Sequence, residues 1–435
     1  MTSIAQLHDA FLRCTGVCTD TRARAPGSLF VALKGPSFNA NAFAAQALAA
    51  GCRMALVDDP AVAEDDRYLL VPDALKALQE LALHHRRGSD IPVLAITGSN
   101  GKTTTKELVH AVLAADRPTL ATAGNLNNHI GVPLTLLRLR AEHRIAIIEM
   151  GANRPGDIRE LMALAEPTHG LITNIGRAHL EGFGSFDGVV RTKSELYDHL
   201  RAGGGTVFVH ADDALLMEKS TGLHRITYGT AATADHRVEP GPTGATLALA
   251  WTGTNGALHE VTTRLIGGYN LPNAAAAVAI GRHFGVPDGR IATALADYTP
   301  SNNRSQFMDT GRNHVVLDAY NANPSSMKAA LEHFAGMPGE RPKLAVLGGM
   351  KELGADSTSE HQAVVALVRG HGLQAVFVGP EFAVLARTME DAKDLVVHPD
   401  VSAALDAFTR NPVEGRLILV KGSRGTKLEG LVPAL

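Results

Sequence analysis

The stretch Thr97-Gly98-Ser99-Asn100-Gly101-Lys102-Thr103-Thr104-Thr105 constrains this chain more than any other. Ahead of it, Ile91-Pro92-Val93-Leu94-Ala95-Ile96 is apolar, as a strand buried on both faces should be. Behind it, Lys106 to Leu113 reads as a helix. A strand that turns through glycines into a helix is one βα unit of a parallel sheet, and it is the setting a phosphate-binding loop requires. Gly98 and Gly101 let the backbone curl so that N–H groups at Ser99, Asn100 and Thr104 can face a polyphosphate. Lys102 adds a mobile charge, Thr103 a hydroxyl for Mg2+, and the new helix its positive end. Ile96 stands where the usual Walker pattern has its first glycine, so the spacing departs from that pattern. A chance turn ahead of a capped helix would look similar, but both flanks fit the loop. The ligand implied is a nucleoside triphosphate.

The same βα rhythm extends well beyond this unit. Leu29–Leu33 and Met54–Val57 alternate with an alanine-rich helix, Ala42 to Ala50, stopped by Gly51. Arg86-Arg87-Gly88-Ser89-Asp90 reads as a polar linker. Ile145–Ile148, Gly170–Ile175 and Thr206–Val209 then read as covered parallel strands. From Val238 to Ile266 the pattern alternates, predicting an antiparallel insert or side sheet, and Asn270 to Phe284 predicts a helix. A second linker is expected at Tyr298–Asn303. Beyond it Val315–Leu317, Leu344–Leu347, Ala375–Val378 and Leu417–Val420 resume the parallel pattern. A length of 435 residues suits about three domains. A formal net charge of −3 argues against a nucleic-acid or membrane-surface binder. Three scattered cysteines give no disulfide framework, and neither a signal peptide nor a transmembrane run is visible, so a cytoplasmic protein is expected.

Candidate chemistry gathers where ligands collect in parallel sheets, at strand carboxyl ends. Glu149 ends one strand and could hold Mg2+, or simply pair with an arginine. His179 follows another strand at the same edge; a lone histidine is more often structural, but that shared edge favours a metal. Lys193, read alone, is a solvated helix lysine whose ammonium would repel Mg2+. The run Gly124 to Pro133, with Asn125 and Asn128, is dense in amides that suit a phosphate, a sugar or a peptide backbone, or only an asparagine-rich turn. Asp318-Ala319-Tyr320-Asn321-Ala322-Asn323-Pro324 and Lys421-Gly422-Ser423-Arg424-Gly425 each follow a late strand. They are either ordinary turns or one ligand-facing edge.

In this order the motifs resemble the Mur ligase family, the ATP-dependent amino-acid ligases of bacterial cell-wall precursor synthesis, over essentially the whole chain. Thr97 to Thr104 resembles the family's phosphate loop, Glu149-Met150-Gly151 its metal-binding glutamate motif, and Asn174 to Gly184 its histidine segment. Gly268-Tyr269-Asn270-Leu271-Pro272-Asn273 is similar to its adenine-side motif. Thr19-Asp20-Thr21-Arg22 and Gly27 to Gly35, which includes Lys34, resemble its UDP-sugar region. Asp318 to Met327, Gly124 to Pro133 and Val420 to Arg424 look like the branch that adds D-alanyl-D-alanine. Where family members often carry Gly-Asp-Met, this chain has Gly348-Gly349-Met350.

The resemblance implies an α/β protein of three domains. These would be a UDP-precursor-binding domain at 1–88, a central P-loop ATPase-like domain with a mixed or parallel sheet at 89–301, and a Rossmann-like domain at 302–435. It implies ligation of D-alanyl-D-alanine to UDP-N-acetylmuramoyl-tripeptide with ATP and Mg2+ through an acyl phosphate, in a monomer. Lys102, Glu149, His179 and Lys193 would be catalytic, and Thr103, Glu149, His179 and Lys193 would hold metal. Lys193 would do so as a CO2-derived carbamate, which requires a depressed pKa. Asn270 and Asn273 would meet adenine, with Arg304 and Asp318 completing the nucleotide site. Thr19, Asp20, Thr21, Arg22, Lys34, Asn125, Asn128, Tyr320, Asn321, Asn323, Lys421, Ser423 and Arg424 would contact substrates. Two alternatives stay open: a ligase of the same architecture adding another residue, or a folylpolyglutamate synthase-like enzyme, and a non-catalytic nucleotide-binding regulator. The third residue of the stem peptide is not legible in the sequence.

Overall fold

The computed structural model describes every residue except 24, 243, 245, 301–303 and 390. The expected linker at Tyr298–Asn303 and the expected limit between 301 and 302 therefore fall partly outside the described residues.

Three parallel sheets follow one another along the chain. The first has four strands in the spatial order Val17–Cys18, Leu29–Val31, Met54–Val57 and Tyr68–Leu70, all parallel. The second has seven strands, with Val93–Thr97 flanked by Ile145–Glu149 on one side and His169–Ile172 on the other. All its pairings are parallel, and of the antiparallel insert or side sheet expected from Val238 onward the structure has the side sheet, three-stranded and separate (Glu239–Pro240, Thr246–Thr252, Leu258–Ile266). The third has six strands, of which Gln306–Asp309 is an antiparallel edge and the remaining five are parallel. Its central strands His314–Asp318, Leu417–Lys421 and Lys343–Gly348 lie side by side, although Leu417–Lys421 is last in the chain. That crossover brings Asp318 and Lys421 to one sheet edge, and it explains why two loops far apart in sequence share one surface.

Strand interiors are apolar and fully covered, as in Val93–Ile96 and Ile145–Ile148, because helices lie on both faces. Several edge strands (Thr119–Ala121, His236–Arg237, Val396–His398) are too short or too polar to stand out in the sequence. The first sheet does not hang on a linker. One continuous apolar cluster runs from Leu7 and Leu29 through Leu78 and Leu81 on helix Ala74–Arg87 to Leu136, Ile148 and Leu161 of the second unit. Each fully buried leucine in it contributes about 2 kcal/mol.

The linker expected at residues 86–90 is corrected on this point. Arg86 and Arg87 are the last turn of that helix, and Arg86 is only 7% exposed. Its guanidinium donates to the carbonyls of Ala165 (3.0 Å) and Glu166 (3.3 Å) at the end of helix Asp157–Ala165. A polar-looking pair thus staples the first unit to the second. Arg86→Ala removes charged donors from buried carbonyls and is expected to cost about 2–4 kcal/mol. Thermal denaturation checks this, and an unchanged Tm would contradict the staple.

Candidate functional site

The phosphate loop has the geometry its glycines imply. Gly98 (φ 145°) and Gly101 (φ 77°) both lie in the positive-φ region, and helix Lys102–Ala114 starts directly after Gly101. A Cβ on Gly98 would sit 2.0 Å from Thr173 Oγ1, and one on Gly101 would sit 2.7 Å from Asn273 Oδ1, so neither position tolerates a side chain. The neighbouring strand end locks the loop. Asn100 N–H donates to Asn174 Oδ1 (3.0 Å), Ser99 N–H donates to the Asn174 carbonyl (3.0 Å), and Thr173 Oγ1 donates to the Asn100 carbonyl (2.6 Å). Lys102 curls back and donates to the carbonyls of Gly98 (2.6 Å) and Ser99 (3.2 Å). Burial pushes its pKa down to about 8, against the pull of Glu149. The Ser99 and Asn100 N–H groups are thus spent on Asn174 rather than facing a polyphosphate as expected, and a phosphate would instead meet the N-terminus of helix Lys102–Ala114 and the Lys102 ammonium around one small volume.

Glu149 closes the floor of that volume. It is 1% exposed, and its Oε1 accepts from Thr103 Oγ1 (3.2 Å) and from Asn127 Nδ2 (2.8 Å). Its Oε2 is buried with no hydrogen-bond partner. A buried carboxylate oxygen left without a donor is costly, and it is the signature of a missing cation. Among the described residues no group of three or more His, Cys, Asp or Glu side chains could hold a metal unaided. A cation here would therefore draw most of its ligands from phosphate and water, which suits Mg2+.

Lys193 is not on a solvated face. It lies on helix Phe186–Gly203, is 2% exposed, and its amine stands 5.7 Å from the Phe183 ring centroid. Among the described residues it has no carboxylate within ion-pairing distance. Burial, then the nearby Lys102 charge, pushes its pKa well below the ordinary lysine value. Lys193 is not among the residues lining the cavity beside the phosphate loop, whereas His179 lines it at φ 52°, its pKa lowered first by burial and then by Lys102 and Lys193, while Glu352 on its Nδ1 pulls the other way.

The cavity around these groups is about 1250 Å³. That exceeds the roughly 300–1,000 Å³ of a single small-ligand pocket, leaving room for a triphosphate and a second reactant. Asn125 and Asn128 line one side, while Arg304, Asp318, Tyr320, Asn321, Asn323 and Lys421 line the opposite wall. Within that wall Lys421 donates to Asp318 (2.6 Å), the Arg304 guanidinium lies 3.6 Å from the Tyr320 ring centroid, and Asn323 donates across the cleft to Asn100 Oδ1 (2.8 Å). The third sheet therefore closes directly on the phosphate loop.

Asn270 and Asn273 line the cavity too, but their amides are engaged. Asn273 donates to Asn270 Oδ1 (2.8 Å) and accepts from Thr105 Oγ1 (3.0 Å), while Asn270 donates to the Ile266 carbonyl (2.7 Å). They buttress the loop from behind. Ser423 and Arg424 stand back from the cavity. Ser423 is buried and accepts from Lys351 N–H (3.2 Å), and Arg424 reaches Tyr320 Oη (3.4 Å). Thr19 to Arg22 and Lys34 lie outside the cavity, in the first unit, with Asp20 paired to Arg22 (2.7 Å) and Lys34 to Asp58 (2.9 Å).

Sequence reasoning passed over Asn127, whose contact with Glu149 was hidden among several asparagines, and Asn174, whose amide props the loop. It also missed Glu352, which no local pattern marks. At Gly349 the space a Cβ would take is occupied by the carboxylate of Glu381, whose Oε2 would lie 2.2 Å from it.

Residues 96–281 match the Mur ligase middle domain, and residues 303–424 match the Mur ligase glutamate ligase domain. The chain is 35% identical to the UDP-N-acetylmuramoyl-tripeptide–D-alanyl-D-alanine ligase of Bacillus subtilis (strain 168), covering 97% of this chain and 93% of that protein. Identity to the Escherichia coli (strain K12) protein of the same name is 37%, covering 99% and 95%. A crystal structure of MurF from Acinetobacter baumannii superposes with a TM-score of 0.85 at 32% identity, covering 99% of this chain and 97% of that one. MurF ligase from Thermotoga maritima, in complex with ADP, gives 0.82 at 26% identity, covering 98% and 97%. Full-length identity of this order, with both domains matched in sequence, places the chain in the Mur ligase family.

Proposed function

We propose that this protein joins D-alanyl-D-alanine to UDP-N-acetylmuramoyl-tripeptide at the expense of ATP, as a step of cytoplasmic peptidoglycan-precursor synthesis. The observation that carries the reading is the free, buried Glu149 oxygen beneath a preset phosphate loop, in a cavity large enough for two reactants. Relatives 31–39% identical carry this activity in their names, which supports the choice of substrates.

A carboxylate at neutral pH does not acylate an amine, so it must be activated. The tripeptide carboxylate oxygen attacks the γ-phosphorus of ATP, the bond to the ADP oxygen breaks, and an acyl phosphate and ADP result. The amine of D-alanyl-D-alanine, having lost its proton, attacks the acyl carbon, and phosphate leaves. The first step drives an anion towards anions, so the protein's work is alignment and charge compensation.

In this reading the N–H groups that open helix Lys102–Ala114 and the Lys102 ammonium hold the β- and γ-phosphates, and Thr103 and Glu149 would take a Mg2+ that neutralises phosphate charge when bound. His179 and Lys193 serve the end of the cavity where the carboxylate arrives. If Lys193 is an ammonium, its charge stands near that of Lys102. A carbamate on Lys193 replaces that charge with two anionic oxygens, and its lowered pKa supplies the neutral amine that CO2 needs. Arg304, Asp318 and Tyr320 flank the nucleotide from the third sheet, and the first sheet, with Thr19 to Arg22 and Lys34, takes the UDP end. Domain limits at 1–88, 89–301 and 302–435 follow this division of labour.

Three measurements test the proposal. ADP release from purified protein is expected with UDP-muramoyl-tripeptide and D-alanyl-D-alanine together. Release with a free amino acid in place of the dipeptide, and none with the dipeptide, would point to another ligase of this architecture. No substrate-stimulated release with any pair would point to a non-catalytic nucleotide-binding regulator. Lys102→Ala is expected to lower kcat by about a hundredfold or more, and near-normal turnover would remove Lys102 from the phosphate site. Activity is expected to fall in CO2-depleted buffer and return with bicarbonate, and indifference to bicarbonate would contradict the carbamate.

A further inference from the structure

His179 is gripped from the opposite side of the cleft. Its Nδ1 hydrogen-bonds Glu352 Oε2, and Glu352 follows strand Lys343–Gly348 of the third sheet. Both residues adopt the left-handed backbone region, His179 at φ 52° and Glu352 at φ 61°, although neither is glycine. Such strain persists only where the surroundings impose it. Here the surroundings are a set of contacts between the loop after strand His169–Ile172 and the third sheet's loops. Glu181 N–H donates to the Glu352 carbonyl (3.4 Å), Arg177 Nε donates to Glu360 (3.0 Å), and Arg177 N–H donates to Ser325 Oγ (3.2 Å). On its other side, Lys351 is ion-paired with Glu381, which fixes the segment that presents Glu352.

A neutral imidazole has one N–H and one lone pair, and the hydrogen bond made by one nitrogen decides which role is left to the other. With Nδ1–H directed at a carboxylate, Nε2 keeps its lone pair, and the carboxylate makes the ring a stronger donor to a cation. We propose that Glu352 is a positioning residue for His179: from across the domain interface it fixes the Nδ1–H tautomer and the ring plane, so that Nε2 can ligate a divalent cation in the cavity. The inference rests on His179 being a metal ligand, as read above. It adds that the ligand is completed by a carboxylate from another domain, so the third sheet's closure prepares the metal site as well as covering the nucleotide.

The test uses Mn2+ as the probe, titrated into the full-length protein with β,γ-methylene-ATP and followed by electron paramagnetic resonance. The wild type is expected to bind two classes of Mn2+. Glu352→Ala, at a half-exposed position, is expected to keep the wild-type melting temperature and the first class while weakening the second about 10–100-fold. His179→Ala should abolish the second class. If His179→Ala loses that class and Glu352→Ala binds like the wild type, the positioning role is overturned and the metal reading stands. If His179→Ala keeps both classes, both fall. A second readout separates positioning from mere stabilisation. In protein labelled with 15N-histidine, His179 is expected as the Nδ1–H tautomer in the wild type and as an Nε2–H or mixed population in Glu352→Ala. An unchanged tautomer would also overturn the proposal.

Discussion

The site depends on one buried carboxylate. Glu149 ends the strand beside the phosphate-loop strand, and register sets it there: Ile96 pairs with Glu149, so the loop begins where that side chain emerges. One oxygen is spent on Thr103 and Asn127, which aligns the helix start with the asparagine-rich segment, and the other is left without a partner. A buried carboxylate oxygen without a donor beside a phosphate loop is an acceptor that a cation could satisfy. The helix start at Lys102, the lowered pKa of that lysine and the cavity arranged around them are consistent with a cation arriving with a triphosphate.

Around this centre the three sheets do different work. The first is continuous with the second through an apolar cluster and the Arg86 staple, so the two behave as one body. The third meets the second mainly through polar contacts, among them Arg177–Glu360, Asn100–Asn323 and His179–Glu352. Polar contacts at partly exposed positions are individually weak, and such an interface can open and reclose without unfolding either partner. The chemistry benefits, because a reactive acyl phosphate needs water excluded while substrates and products must still pass.

Much of this was legible in the sequence because the governing patterns are local. The glycines and the flanking apolar strand declare the loop, branched runs declare covered strands, and glutamate at a strand end falls where parallel sheets collect ligands. What was not legible depends on which face of an element is covered. Lys193 reads as a solvated lysine, since nothing along helix Phe186–Gly203 says that Phe183 lies against that face. Arg86 reads as linker because a buried arginine is visible only once carbonyls from another helix are found beneath it. Asn270 and Asn273 read as ligand contacts, yet their amides are spent on each other and on the loop. Glu352 belongs to an ordinary charged turn until the third sheet folds over His179.

The central claim is that the second sheet grips a magnesium-bound triphosphate. Isothermal calorimetry with β,γ-methylene-ATP tests it most directly, run with and without Mg2+ on the wild type and on Glu149→Ala. The account predicts one nucleotide bound per chain in the presence of Mg2+, with affinity that drops when Mg2+ is chelated and that no longer responds to Mg2+ in the variant. Well-folded protein that takes up no nucleotide, or that binds it equally with and without Mg2+, would contradict it.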